Sequence, residues 1–292
     1  MRTDAEPVTG IRNPVLRVLA YSHIWLALGA AAQVWLTSLA MVEDDQAMRV
    51  AAAILLLTIG GYTYMRTVRS RARGAELVPV LRWTSEHRTL LMIMGACCIA
   101  AGAALLWPFP HRAAQWCAFA LMVSLPYVMP WRGKRTIGLR YVPALKAILI
   151  AAVWSVVTVA VPLQYQTTAE SDLVVGLSVL FRALFFLALA IAFDIRDLPY
   201  DRRSLWTVPQ LIGARTARGF AILLVLISAI FELLRLLWLD LSNAVFPAVF
   251  AYLITIILLL CATQRRSPLF YALLLDGALI LVPAAVWLGI RI

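Results

Sequence analysis

The chain has 292 residues, of which 63% are hydrophobic and 14% charged, and its mean hydropathy is +0.86. A soluble domain is about half apolar and about a quarter charged, and its core grows too slowly with length to hide this much apolar surface, so the composition excludes that class and implies an integral membrane protein. The 26 Lys+Arg against 15 Asp+Glu give a formal charge of +11, which is read as cytoplasmic loops, an anionic leaflet or an anionic substrate rather than nucleic acid.

Residues 1–14 form a short polar segment, and 15–292 are read as one transmembrane domain. Apolar runs of about 20 residues, enough to span a bilayer as helix, fall at 15–41, 46–65, 89–108, 113–130, 141–161, 171–193, 216–239, 244–262 and 268–290. The ten-residue alternation of a membrane barrel is missing. The expected fold is therefore all-α, a polytopic bundle of nine transmembrane helices.

Orientation follows from the cations. The N-terminal segment and the second, fourth, sixth and eighth connections hold 20 of the 26 Lys and Arg residues, among them Arg66, Arg69, Lys134, Arg135 and Arg202. The opposite connections carry Glu43, Asp44, Asp45, Glu170 and Asp172. By the positive-inside rule the N-terminus is cytoplasmic and the C-terminus outside. The expected location is a prokaryotic cell (inner) membrane with the active side cytoplasmic. Cys97, Cys98, Cys117 and Cys261 lie in apolar runs without metal or disulfide spacing, and read as buried free thiols.

The sixth run ends in Phe193-Asp194-Ile195-Arg196-Asp197-Leu198-Pro199-Tyr200-Asp201-Arg202-Arg203. Its aspartates recur at i, i+3 and i+7, within about 60° on one helical face. Pro199 is expected to break that helix. Two readings are open. The acids are a solvated helix terminus neutralised by Arg196, Arg202 and Arg203, or they are hard oxygen ligands for a divalent ion such as Mg²⁺ beside substrate phosphates.

The stretch Asp194-Ile195-Arg196-Asp197, Asp201-Arg202, then Thr207-Val208-Pro209 and Gly213 resembles the second aspartate-rich motif of UbiA-type intramembrane prenyltransferases. Pro126-Tyr127 followed by Lys134-Arg135 is similar to the tyrosine and Lys-Arg signature of that family. The resemblance implies an isoprenyl diphosphate substrate, Mg²⁺ held by Asp194, Asp197 and Asp201, and a hydrophobic acceptor. It also implies a first acidic motif closing the second span. Here that position reads Gly61-Tyr62-Thr63-Tyr64-Met65-Arg66-Thr67-Val68-Arg69, without a carboxylate between Asp45 and Glu76. Arg66 and Arg69 lie one turn apart, and guanidinium groups contact phosphate oxygens with no metal. They are the expected replacement, joined as diphosphate contacts by Lys134, Arg135 and Arg202.

Charges within the spans come last. Lys146 lies about 8 Å into the fifth run at the helical rise, where it reaches a diphosphate, snorkels, or pairs with Asp276. Arg182 needs a partner, with Glu232 nearest in depth, or Glu232 and Arg235 pair instead with each other at i, i+3. The expected function is a membrane-embedded prenyltransferase-like enzyme that ionises an isoprenyl diphosphate with Mg²⁺ and transfers the prenyl group to a lipophilic or aromatic acceptor, with Asp197, Asp201 and Lys146 as its catalytic residues. The alternatives are a UbiA-type terpene cyclase and a noncatalytic lipid-binding protein of the same fold. The expected partners are an isoprenyl diphosphate, a hydrophobic acceptor and membrane lipid, not nucleic acid.

Overall fold

Without water to satisfy them, backbone amides in a bilayer must bond within their own segment, and a helix does this for every residue. The computed structural model describes residues 13–40, 44–70, 79–128, 145–165, 171–199 and 206–292, and its regular elements there are all helical. Asn13 caps α1 (Pro14–Tyr21), its side chain accepting from the amides of Val15 and Leu16. Ser22 and His23 then interrupt the helix, with His23 in the left-handed region at φ 63°, and α2 (Ile24–Thr37) leaves at 55° to α1.

The chain continues as α3 (Asp44–Arg69), a short α4 (Pro79–Glu86), α5 (Arg88–Leu105), α6 (His111–Val128) and α7 (Leu145–Leu163). A π-type turn at Val156–Ala160 widens α7. The next helix, α8 (Asp172–Asp197), has Ser171 as its N-cap, Asp172 in its first turn and Arg196 in its last. Both charges oppose the helix dipole. As expected, α8 ends just before Pro199.

The motif from Thr207 to Gly213 has a local explanation. Gln210 accepts from the amide of Thr207 at the start of the short α9 (Val208–Ile212), and Pro209 sits in its first turn. Gly213 at φ 82° turns the chain into α10 (Ala214–Trp238), a conformation costly for any residue with a Cβ. Two further helices, α11 (Ser242–Cys261) and α12 (Phe270–Arg291), complete the bundle.

The chain is an integral multi-pass membrane protein. Among the described residues seven helices (α3, α5, α7, α8, α10, α11 and α12) are long and apolar enough to cross a membrane, and the bent pair α1–α2 makes eight if it is one span. The expected span at 113–130 coincides with α6, which is not among them. Its first turns carry His111, Arg112 and Gln115, so its apolar stretch is short.

Packing joins α2 to α3 and α12, α3 to α5, and α8 to both α7 and α10, with α11 between α10 and α12. One core lies among α8, α10, α11 and α12, around Ile191, Ile195, Leu236, Leu259 and Leu275. A second lies where α2 meets α3, around Val34, Val50 and Ile54. Close approach is set by small residues, as in other membrane bundles. A Cβ on Gly60 of α3 would lie 2.8 Å from the Gly95 carbonyl oxygen of α5, and one on Gly289 would lie 2.5 Å from Cα of Ala244 in α11.

Backbone cannot yield as a side chain can. Gly289→Ala should therefore destabilise by about 1–3 kcal/mol through overpacking. Gly219→Ala, whose Cβ meets nothing within 4 Å, should be neutral or stabilise by up to about 1 kcal/mol. Thermal unfolding of both variants in one detergent checks the contrast.

Candidate functional site

Charges gather at one end of the bundle, where α2, α7 and α12 begin and α3 and α8 end. Arg66, in the last turn of α3, donates from Nη1 to the Tyr21 carbonyl oxygen at 2.6 Å, and its Nη2 lies 3.4 Å from Nδ1 of His23. The break between α1 and α2 is what frees that carbonyl, so the kink and the arginine stabilise each other.

Across the end, Lys146 at the start of α7 donates from Nζ to Asp194 at 2.7 Å. The Asp194 side chain is 3% exposed and that of Lys146 16%. One turn on, Asp197 accepts two bonds from Arg196, at 2.7 and 3.1 Å. Arg196 is in turn held over the rings of Phe193 and Tyr271, at 4.9 and 5.4 Å. Half-buried Asp276 lies within electrostatic reach of both Arg196 and Arg66. Lys146 thus takes Asp194 of α8 rather than Asp276.

The expected site residues divide as follows. Arg66, Lys146, Asp194 and Asp197 come together at this end. Asp201, Lys134, Arg135, Arg202 and the side chain of Arg69 lie outside the described residues. Tyr21, His23, Tyr62 and Tyr271 join the site without having been singled out. Only Tyr62 had a usable signal, since it precedes Arg66 by four residues and so shares its helix face.

From this end an aromatic line runs into the bundle. His23 lies 5.1 Å from Tyr62, whose hydroxyl accepts from Trp154 Nε1 at 3.0 Å. Trp154 lies 5.3 Å from Phe186, and Phe185 continues to Tyr252 at 6.1 Å. These rings could hold an apolar chain, and their faces attract a cation.

Among the described residues no group of three or more His, Cys, Asp or Glu side chains is placed to hold a metal ion. The donor chemistry still suits one hard ion. Asp197 offers carboxylate oxygens with the side chain 27% exposed, and Asp194 stands one turn away. Asp194 and Asp197 are each matched by a cation, which lessens the repulsion that neighbouring acids at a membrane edge would otherwise suffer.

At these exposures, removing one partner of Lys146–Asp194 leaves a charge stranded away from water. Lys146→Met should destabilise the protein by roughly 3 kcal/mol. Adding Asp194→Leu should recover most of that loss, because an apolar pair has no charge to desolvate. A double-mutant cycle in thermal stability reads the difference.

The chain resembles solved membrane proteins along nearly its whole length. The apo structure of a UbiA homolog from Aeropyrum pernix K1 aligns with a TM-score of 0.61 at 18% identity, over 92% of this chain and 97% of that one. A UbiA homolog from Archaeoglobus fulgidus, solved bound to GPP and Mg²⁺, aligns with a TM-score of 0.61 at 15% identity, over 94% of this chain and 99% of that one. No protein-family model and no curated protein matches the sequence. The fold is that of the UbiA homologues.

Proposed function

We propose that the chain is a prenyltransferase-like membrane enzyme that ionises an isoprenyl diphosphate and passes the prenyl group to a lipophilic or aromatic acceptor. The observation that carries this reading is the meeting of Asp194, Asp197, Lys146 and Arg66 at one end of a UbiA fold. The Archaeoglobus fulgidus homolog, solved with GPP and Mg²⁺, supports it by analogy. The reading takes nine spans, with the N-terminus cytoplasmic and the charged end facing the cytoplasm.

On this reading the cations do most of the work. Arg66 and Arg69 of α3, with Lys134, Arg135, Lys146 and Arg202, surround the diphosphate and stabilise charge as it builds on the leaving group. Arg66 is already held by the Tyr21 carbonyl, so little reorganisation accompanies substrate entry. Mg²⁺, held by Asp197 and Asp201 with Asp194 beside them, would supply further positive charge to the diphosphate. The prenyl chain lies along Tyr62, Trp154 and Phe186, where ring faces favour an allylic cation and packing excludes water.

A second reading, a noncatalytic lipid-binding protein, draws on the pairing of Asp194 with Lys146 and on the loss of acids at the end of α3. Pyrophosphate release separates the two. The purified protein, given geranyl to geranylgeranyl diphosphates, is expected to release pyrophosphate only with Mg²⁺. Asp197→Asn and Asp201→Asn should each abolish release while the protein stays folded, and Arg66→Ala with Arg69→Ala should chiefly weaken diphosphate binding. No release combined with no diphosphate binding selects the noncatalytic reading. Product analysis then distinguishes transfer from cyclisation.

A further inference from the structure

At the opposite end of the bundle from Arg66 and Asp194, a second group of charges lines a cavity of about 290 Å³. Arg182, within α8, donates from Nη2 to Glu232 Oε2 of α10 at 3.3 Å. From Nη1 it donates to the side-chain and main-chain oxygens of Gln33 in α2. Arg235, one turn beyond Glu232, donates to Glu232 Oε1 from Nε and Nη2, at 3.1 and 2.7 Å, and to the Leu36 carbonyl oxygen at 2.7 Å. The side chains of Arg182, Glu232 and Arg235 are 9%, 5% and 14% exposed.

Two guanidinium groups share a single carboxylate. Among the described residues, Glu232 is the acid paired with either one, so the cluster carries one uncompensated positive charge. Such a charge inside a bilayer is costly unless something anionic answers it. The donor inventory indicates where. Arg235 spends Nε and Nη2 on Glu232 and Leu36, which leaves Nη1 with two hydrogens and no hydrogen bond among the described residues.

Apart from the hydroxyls of Thr37, Ser178 and Ser228, the rest of the cavity is apolar. Phe181 and Phe231 stack at 4.2 Å and form one wall, with Val174, Leu177 and Leu234 beside them. Leu177, Leu234 and Trp238 are exposed, so the wall continues onto the lipid-facing surface. Arg235 lies three residues before the end of α10, about 5 Å along the axis. That is the depth of a lipid head sunk slightly below the interface, with its chain directed inward along the aromatic wall.

We infer that this cavity binds the singly charged anionic head of an amphiphile, a carboxylate or a phosphate, with Arg235 Nη1 as its contact. The site is separate from the charged end that carries the proposed prenyl chemistry and does not rest on that reading. Size complements charge, because a small head with the first part of one chain fills a space of this volume.

The test is equilibrium binding of radiolabelled oleate to the detergent-purified full chain. The expected result is saturable binding at one site, with oleyl alcohol competing at least about tenfold less well, as loss of a charged hydrogen bond requires. Arg235→Gln removes the surplus charge and should weaken oleate by about tenfold or more. Ser178→Phe fills the cavity from α8 while leaving the three residues of the ion cluster unchanged, and it should cause a similar loss. That second variant decides the matter if Arg235→Gln fails to fold. Competition by phosphatidylglycerol assigns the site to bilayer lipid, its absence assigns it to single-chain acids, and competition by inorganic phosphate assigns the recognition to the head alone. Equal affinity for oleate and oleyl alcohol, or wild-type binding by the folded variants, would overturn the proposal.

Discussion

A charge inside a helical bundle that spans a bilayer has no water to solvate it, so it must recruit a partner from another helix. That constraint organises both ends of this protein. At one end Lys146 ties α7 to α8 through Asp194, and Arg66 ties α3 to the carbonyl that the kink after α1 exposes. At the other, Arg182, Glu232 and Arg235 tie α8 to α10, with Gln33 and the Leu36 carbonyl bringing in α2. Apolar packing alone would give these helices little reason to choose one register over another, because lipid is as apolar as leucine. The polar contacts supply that choice.

How far the sequence could be read follows from the same physics. Helical spans are legible because a bilayer demands about 20 apolar residues in a row, and α3, α5, α7, α8, α10, α11 and α12 stand where such runs occur. The end of α8 was legible from Pro199, and each partner of Glu232 was legible from depth or helical spacing, though as alternatives, whereas the structure makes both pairs at once. The 55° break at Ser22 and His23 was not legible, since neither residue is a Gly or Pro that would announce it. Nor was the choice of Asp194 as the partner of Lys146. Depth placed Asp276 at a similar level, and only the rotation of each helix decides which acid a lysine meets. Helix rotation depends on packing against neighbours, which a hydropathy pattern does not encode.

The two polar ends differ in kind. Around Asp194 and Asp197, acids and bases are matched closely, and the aromatic line from His23 to Phe186 leads away from them into the bundle. Around Arg235 the charges are unequal, and the neighbouring walls open towards lipid. A one-to-one ion pair such as Lys146–Asp194 can exchange one partner for an incoming ion or phosphate with little net change in charge. Two guanidinium groups that share one carboxylate, as Arg182 and Arg235 share Glu232, gain stability when an anion arrives.

The arginines that close α3 bear on the proposed chemistry most directly. Two carboxylates at that position would need a metal ion before they could attract a diphosphate, and without it they would repel one. Arginine attracts the same oxygens unaided and presents its donors in a planar fork suited to them. Its weakness is flexibility, because a long side chain that must be ordered on binding gives back part of the attraction. Here Arg66 is ordered in advance by the Tyr21 carbonyl, which is available because the helix breaks where it does. Kink and arginine therefore form one device: the break exposes an acceptor, the acceptor fixes a cation, and the cation stands at the same end of the bundle as Lys146 and the aspartates of α8. On the proposed reading, the loss of acids from α3 moves part of the charge stabilisation from metal to protein and leaves the chemistry of the α8 aspartates in place.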